Sequence, residues 1–270
     1  MEKRDIVVVI PVYRSALSVD ECISLKRCVT LLSDYELVIV KPEYLDINFL
    51  ITKYPSLKVE SFSDEYFASL RGYNKLVLDE LFYMRFLKYQ YMLIYQLDAF
   101  VFKDELLLWA EKGYDYIGAP WIPPKHSYLT LRGRLKIQLK YFIYTLLNDD
   151  RRKLKKYCNY QVGNGGFSLR KINKMLEVTR FYREKIKSYL DDDKPFYPED
   201  LFLLLELTSR KHSLRRPGFK EALKFSMEEN PVWGYKYNKE ILPFGCHDWN
   251  HEHYAPFWTP IIKSLIEVSI

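Results

Sequence analysis

Ile6-Val-Val-Val-Ile10 is a run of five β-branched residues closed by Pro11. Nothing polar alternates with them, so the run reads as a short, buried first strand. Apolar residues near helical spacing follow from Leu17 to Leu32, and Glu36-Leu-Val-Ile-Val40 is a second buried strand stopped by Pro42. Leu57 to Phe62 alternates like a third strand. Asn74 to Lys88 carries Leu76, Leu81, Phe82, Arg85 and Phe86 at three- and four-residue steps and reads as one amphipathic helix. Tyr91 to Leu97 is a fourth strand ending at Asp98. This β-α-β-α-β order predicts an α/β fold with a mostly parallel central sheet flanked by helices. Ligands of such sheets sit beyond the carboxyl ends of the strands, which puts Pro11-Val-Tyr-Arg14 and Asp98 at the candidate site.

The second half is less regular. Residues 125–159 read as a basic helical insertion, with Leu135 to Leu147 forming one apolar-faced helix. Leu135, Leu139, Phe142, Ile143, Leu146 and Leu147 fall on one side, and Lys136 and Lys140 accompany them. Docking of that face on the core is the favoured reading, because most amphipathic helices are simply packed. The alternative is a peripheral contact with an anionic membrane surface. Gly163-Asn-Gly-Gly166 is a glycine cluster, Phe167 to Thr179 reads as strand then helix, and Pro198-Glu-Asp-Leu201 opens a helix running from Asp200 to Ser209. The expected organisation is one domain over 1–260, interrupted by the insertion, with a tail at 261–270.

Composition narrows the class. The 270 residues include 48% hydrophobic and 28% charged residues, ordinary for a globular chain, with an unusual 16% of aromatics carried by 23 Tyr and 16 Phe. No apolar window reaches the length of a membrane-spanning helix, and the opening Met1-Glu-Lys-Arg-Asp5 lacks the apolar stretch of a signal peptide. Cys22, Cys28, Cys158 and Cys246 show no CxxC spacing, so reduced thiols and a cytoplasmic location are expected. The net charge of +6 is uneven. Lys125 to Lys156 holds ten Lys/Arg against Asp149 and Asp150, an excess of eight, which leaves the remainder at −2. A single basic segment on a near-neutral body argues for a local anionic partner and against nucleic acid.

Four constellations could carry chemistry. Asp98, placed directly after a buried strand, is held rigidly at a cleft edge, where it can either bind a divalent cation or cap the next turn. Glu199 and Asp200 open a helix, where acids are favoured by the macrodipole and where one of them could also serve as a general base. In Gly163-Asn-Gly-Gly-Phe-Ser-Leu-Arg170, glycines permit close approach of backbone to a ligand, and Asn164 offers both donor and acceptor; a tight turn would use the same residues. In Phe244-Gly-Cys-His247, the histidine stands four before His251, but this pair lacks the other ligands a structural zinc requires.

Taken in order, these segments resemble nucleotide-sugar glycosyltransferases of the GT-A fold. Val8-Val-Ile-Pro-Val-Tyr-Arg14 resembles the first nucleotide-binding strand, and Tyr95-Gln-Leu-Asp98 the strand-end Asp-x-Asp region. The 163–170 segment resembles the loop beside the donor sugar, Pro198-Glu-Asp200 the x-Glu-Asp motif, and His247 the late histidine that joins the metal. More closely, QLDAFVF, YIGAPW (Tyr116 to Trp121), GNGGFSLR, PEDLFL and LPFGCH resemble a glycosyltransferase-like family of bacteria and fungi catalogued as a domain of unknown function. The resemblance covers residues 6 to about 258 apart from the insertion.

The resemblance implies transfer of a sugar from a nucleoside-diphosphate donor, a UDP-sugar by preference, to a hydroxyl of a glycan or lipid-linked glycan. Asp98 and His247 would hold a divalent cation. An imidazole ligand favours Mn²⁺ over Mg²⁺. Gln96 stands where the first Asp of Asp-x-Asp is expected, which leaves only the final acid. Asp200 would be the general base of an inverting reaction, with Glu199 as the second choice. Pro11, Tyr13, Arg14, Lys75, Gln96 and Asp98 would neighbour the nucleotide, and Trp121, Asn164, Gly165 and Gly166 the sugar or acceptor. A non-catalytic nucleotide-sugar or membrane-surface binding module is the alternative.

Overall fold

An apolar run without alternation must be covered on both faces, and strand β1 (Ile6–Pro11) is fully buried along its length. In this computed structural model, which describes residues 1–125, 130–147, 154, 156–191, 198–207 and 210–267, β1 lies at the centre of a six-stranded sheet. It pairs in parallel with β2 (Glu36–Pro42) and β4 (Tyr91–Tyr95), and β2 pairs in parallel with β3 (Lys58–Phe62). The order is β3-β2-β1-β4-β7-β6. The mostly parallel character stops at β7 (Phe167–Lys171), which runs antiparallel between β4 and the two-residue β6 (Tyr116–Ile117). Among the described residues helix outweighs strand.

Alternate residues of β1 feed two cores. Ile6, Val8 and Ile10 pack with Leu25, Cys28 and Leu32 of helix α1 (Val19–Leu31) and its end. Val7 and Val9 face the opposite layer, with Leu76, Phe82, Phe86 and Met175. The helices of that layer include α3 (Leu70–Val77), α4 (Glu80–Met84) and α7 (Ile172–Phe181). The shorter α2 (Asn48–Lys53) connects β2 to β3, and α5 (Leu106–Glu111) precedes β6. The single helix expected from Asn74 to Lys88 is therefore broken. Its apolar period continues unbroken, but the Asp79 side chain accepts the amide of Leu81 and the hydroxyl of Tyr66, and this capping starts a new helix at Glu80. The fourth strand ends at Tyr95, two residues earlier than expected, because Gln96 and Ala99 close a turn (Ala99 N to Gln96 O, 2.9 Å).

A second, three-stranded sheet matters most for the site. Strands β5 (Phe100–Val101), β8 (Ser226–Met227) and β9 (Gly245–Cys246) are two residues each, in the order β5-β9-β8. Phe100 pairs with Cys246, and Cys246 with Met227. Beneath them a third core joins Phe100, Phe102, Trp249, Trp258 and Ile262. The last two come from helix α12 (Ala255–Glu267), within which the expected boundary at 260 falls. Between α7 and α12 lie α8 (Arg183–Tyr189), α9 (Glu199–Leu205), α10 (Phe219–Phe225) and α11 (Pro231–Tyr237). The helix expected from Asp200 to Ser209 starts at Glu199 and ends at Leu205, and Ser209 lies outside the described residues.

The insertion forms α6 (Leu131–Leu146), and here the packing expectation is overturned. The apolar side named above faces solvent: Leu135, Leu139 and Phe142 are nearly 60% exposed. Helix α6 docks instead by the opposite side, through Ile137 and Gly133. Arg134 seals this contact, bonding the hydroxyl of Tyr237 and lying over the rings of Tyr160 and Phe219. Residues 126–129, 148–153 and 155 of the insertion lie outside the described residues. No helix among the described residues is long and apolar enough to cross a membrane.

Candidate functional site

The ends of β1 and β4 meet as their parallel pairing requires. Pro11, Tyr13 and Arg14 from one, and Gln96 and Asp98 from the other, line a single cavity of about 690 Å³. Tyr13 is half exposed, and the Arg14 guanidinium lies 5.4 Å from the centre of its ring. Arg14 is also paired with Glu21 at 2.5 Å. Among the described residues lining this cavity Arg14 is the one cation, against Glu21 and Asp98. Lys75 is not brought to this group; it lines a separate hollow with Asp79, Glu80 and Arg183.

The small sheet draws three distant acids and bases together. Because Phe100 is paired with Cys246 and Cys246 with Met227, the neighbouring residues Asp98, His247 and Glu228 converge. Trp249 N donates to Asp98 O at 3.2 Å and His247 N to Met227 O at 3.1 Å, which fixes the register. His247 Nε2 faces Asp98 Oδ1 at 3.1 Å and Gln96 Oε1 at 3.1 Å, while Nδ1 lies 2.8 Å from Glu228 Oε2. Burial opposes charge on this imidazole, but Asp98 and Glu228 on either side raise its pKa well above the ordinary value. Burial likewise works against ionised Asp98, and His247 more than offsets it, leaving the carboxyl below its usual range.

The glycine loop joins this group to the paired acids. Cβ atoms at Gly163, Gly165 and Gly166 would lie about 2 Å from the Trp121 ring, Glu199 Oε1 and His247 Nε2 respectively, so only glycine lets the loop pass between them. Gly166 O accepts from Gln96 N at 2.9 Å. Asn164, in the left-handed region at φ 54°, donates its backbone N–H to Asp200 Oδ2 at 2.8 Å. Its own side-chain Nδ2 is buried without a partner. Trp121 covers Gly163 and is only partly buried, so the side chain is a wall of the loop.

Glu199 and Asp200, adjacent in the first turn of α9, have different surroundings. Glu199 Oε1 accepts from Arg170 at 2.8 Å, and that guanidinium is fully buried and also bonded to Ser168 and Tyr83. Its charge is already neutralised. Asp200 has no cation partner among its hydrogen bonds, which come from the amides of Asn164 and Leu201 at 2.8 Å each. Burial, then Glu199, then Glu228 push its pKa up to about 7, against the two amides. A carboxyl ionising near neutrality is suited to taking a proton. Asp200 is 7% exposed and does not itself line the cavity; the loop links the two.

Among the described residues no group of three or more His, Cys, Asp or Glu is arranged to hold a metal. Asp98 and His247 still pass a test of fit as two adjacent ligands. Asp98 Oδ1 is buried with no well-directed hydrogen bond. Ligands at right angles about 2.1–2.2 Å from an octahedral ion lie about 3 Å apart, close to the observed separation. Glu228 on the far ring nitrogen is the kind of partner that orients a ligating histidine. Sequence reasoning missed Glu228, for which no local pattern exists, and assigned no role to Arg170, whose signal was a charge at a buried position of β7.

Residues 56–247 match the family described as Protein of unknown function (DUF5672). No curated protein matches in sequence. Among solved structures, the galactosyltransferase LgtC in complex with donor and acceptor sugar analogs aligns over 96% of this chain and 94% of its own, with 11% identity and a TM-score of 0.53. That is a likeness of fold. The mannosyltransferase Ktr4p from S. cerevisiae aligns over 70% of this chain with 11% identity and a TM-score of 0.45, and this chain spans 62% of its length.

Proposed function

From a chain that belongs to the DUF5672 family and has a GT-A-like α/β fold, we propose a glycosyltransferase that moves a sugar from a nucleoside-diphosphate donor to an acceptor hydroxyl. What carries this reading is one juxtaposition. The loop 163–166 contacts the Asp98–His247 pair at one end and Asp200 at the other.

Glycosyl transfer breaks the anomeric C–O bond, so negative charge develops on the departing diphosphate while the acceptor must lose a proton. The cavity at the ends of β1 and β4 receives the nucleotide, with Tyr13 offering a ring face to the base and Arg14 a charge-assisted donor. Its lining carries more acid than base, so a dianionic diphosphate requires an added cation. Asp98 Oδ1 and His247 Nε2 would hold that ion, Mn²⁺ by preference, and it would supply Lewis-acid stabilisation of the leaving phosphate. Asn164 Nδ2, buried without a partner, and the loop backbone would donate to the sugar. Asp200 takes the acceptor proton on the face opposite the leaving group, which is the inverting outcome. Glu199, tied to Arg170, holds α9 in position and takes no proton.

One observation favours a second reading, a binding module without catalysis: both oxygens of Asp200 accept backbone amides, as an ordinary helix start would have them. The discriminating experiment is a screen for slow hydrolysis of UDP- and GDP-sugars with Mn²⁺, comparing the native protein with Asp98→Ala. Hydrolysis abolished by the substitution supports transfer; nucleotide binding with no hydrolysis of any donor supports the module.

A further inference from the structure

Helix α6 has two apolar sides, and only one of them is used. Ile137, on the docked side, is 4% exposed. Leu131, Leu135, Leu139, Phe142 and Leu146 recur at steps of four, four, three and four, so they form one stripe along the other side. They are 58–76% exposed. The stripe runs the length of the helix, about 24 Å for 16 residues at the α-helical rise. Five large side chains in a row on open surface are far outside the scatter of single exposed hydrophobics that needs no explanation.

The charge beside the stripe says what fits it. Arg132 and Lys136 are exposed, and Lys140 is half-buried. They lie on one side of the stripe, about 60°, 100° and 140° around the helix from its centre in that order, so Arg132 and Lys136 flank it most closely. Residues 130–147 contain four Lys/Arg and no acid. Two copies of such a helix facing each other would repel, whereas an anionic bilayer matches both features: acyl chains take the leucines and headgroup phosphates take the cations. Long basic side chains reach from an apolar stripe to the headgroups at little cost.

We propose that α6 is a docking element for an anionic lipid surface, lying in the interface plane with its leucine stripe inserted. The docked side keeps the helix fixed to the body through Ile137 and Arg134. From α6 the chain returns through Tyr157–Tyr160 directly into the glycine loop, with Tyr160 N bonded to Trp121 O at 3.0 Å. Burial raises the Cys158 thiol pKa to about 12, and the nearby Asp200 charge adds to the rise. The ring of Tyr141 of α6 lies 6.0 Å from the ring of Tyr157, so the lipid-facing element packs beside the segment that leads to the loop. Where the transferase reading holds, this makes the acceptor a lipid-borne hydroxyl; the docking itself does not rest on that reading.

The test is co-sedimentation of the whole protein with vesicles of phosphatidylcholine alone and of equal parts phosphatidylcholine and phosphatidylglycerol. The expected result is partitioning roughly tenfold or more stronger on the anionic vesicles, weakened by salt. Leu135→Glu/Leu139→Glu/Phe142→Glu should abolish it with an unchanged melting temperature, since all three side chains are exposed. The response of melting to UDP and Mn²⁺ should survive in the same variant, which separates docking from donor chemistry. Equal, weak partitioning on both vesicles would overturn the proposal. So would a native dimer that the triple variant dissolves, because the stripe's occupant would then be a second copy of this chain.

Discussion

Asp200 and Glu199 are chemically similar and one residue apart, yet the fold gives them opposite surroundings. Arg170 neutralises Glu199, and Asp200 is left against backbone dipoles with a pKa near 7. Asp200→Asn should lower turnover by about 10²–10⁴-fold in a donor-consumption assay, the range typical of a lost general base. The native pH profile should rise through about pH 7 as Asp200 loses its proton. Stability should move the other way. The folded carboxyl ionises near 7 and the unfolded one near its ordinary 3.8, so between these values the folded state holds the extra proton. Stability then falls as pH rises across that window. Thermal melts should show Asp200→Asn gaining on the native protein from pH 4 to pH 7. The buried ion pair predicts a contrasting result. Glu199→Gln leaves Arg170 charged and uncompensated where it is wholly buried, and should cost about 3–5 kcal/mol in urea unfolding.

At the scale of elements, the site depends on a four-residue loop that has no room for side chains at three positions. A methyl at Gly166 would lie 1.9 Å from His247 Nε2. Gly166→Ala should therefore displace the imidazole and remove the stabilisation by UDP with Mn²⁺, read as a melting shift. Gly218→Ala, with nothing within 4 Å of the new methyl, should retain it. These elements were not equally legible. Ile6–Ile10 announced a buried strand because no residue in it could face water, and the ends of β1 and β4 then located the cavity. The helix break at Asp79 was hidden because the apolar period of Leu76, Leu81, Phe82 and Phe86 continues through it, while capping depends on one carboxylate. The period in α6 likewise revealed a stripe without revealing which side docks, since Ile137 is a single apolar residue against the five exposed ones. Glu228 was invisible for a different reason. Two-residue strands such as β8 and β9 leave no pattern, and their pairing is decided by the tertiary fold.

Across the whole molecule, residues 98, 228 and 247 are assembled by that small sheet, and α12 closes the core beneath it. Trp258 and Ile262 are essentially buried there with Phe100, Phe102 and Trp249. Trp258→Ala should cost about 3–5 kcal/mol in urea unfolding, and a protein so loosened should respond less to nucleotide. Two side chains 149 positions apart, Asp98 and His247, would form one divalent-cation site that receives a nucleoside diphosphate. Isothermal titration of UDP into the native protein, Asp98→Ala and His247→Ala, each with and without Mn²⁺, measures this directly. Mn²⁺-dependent binding is expected in the native protein, with loss of that dependence in both variants. Equal affinity with and without Mn²⁺ in all three proteins, or no binding in any, would contradict it.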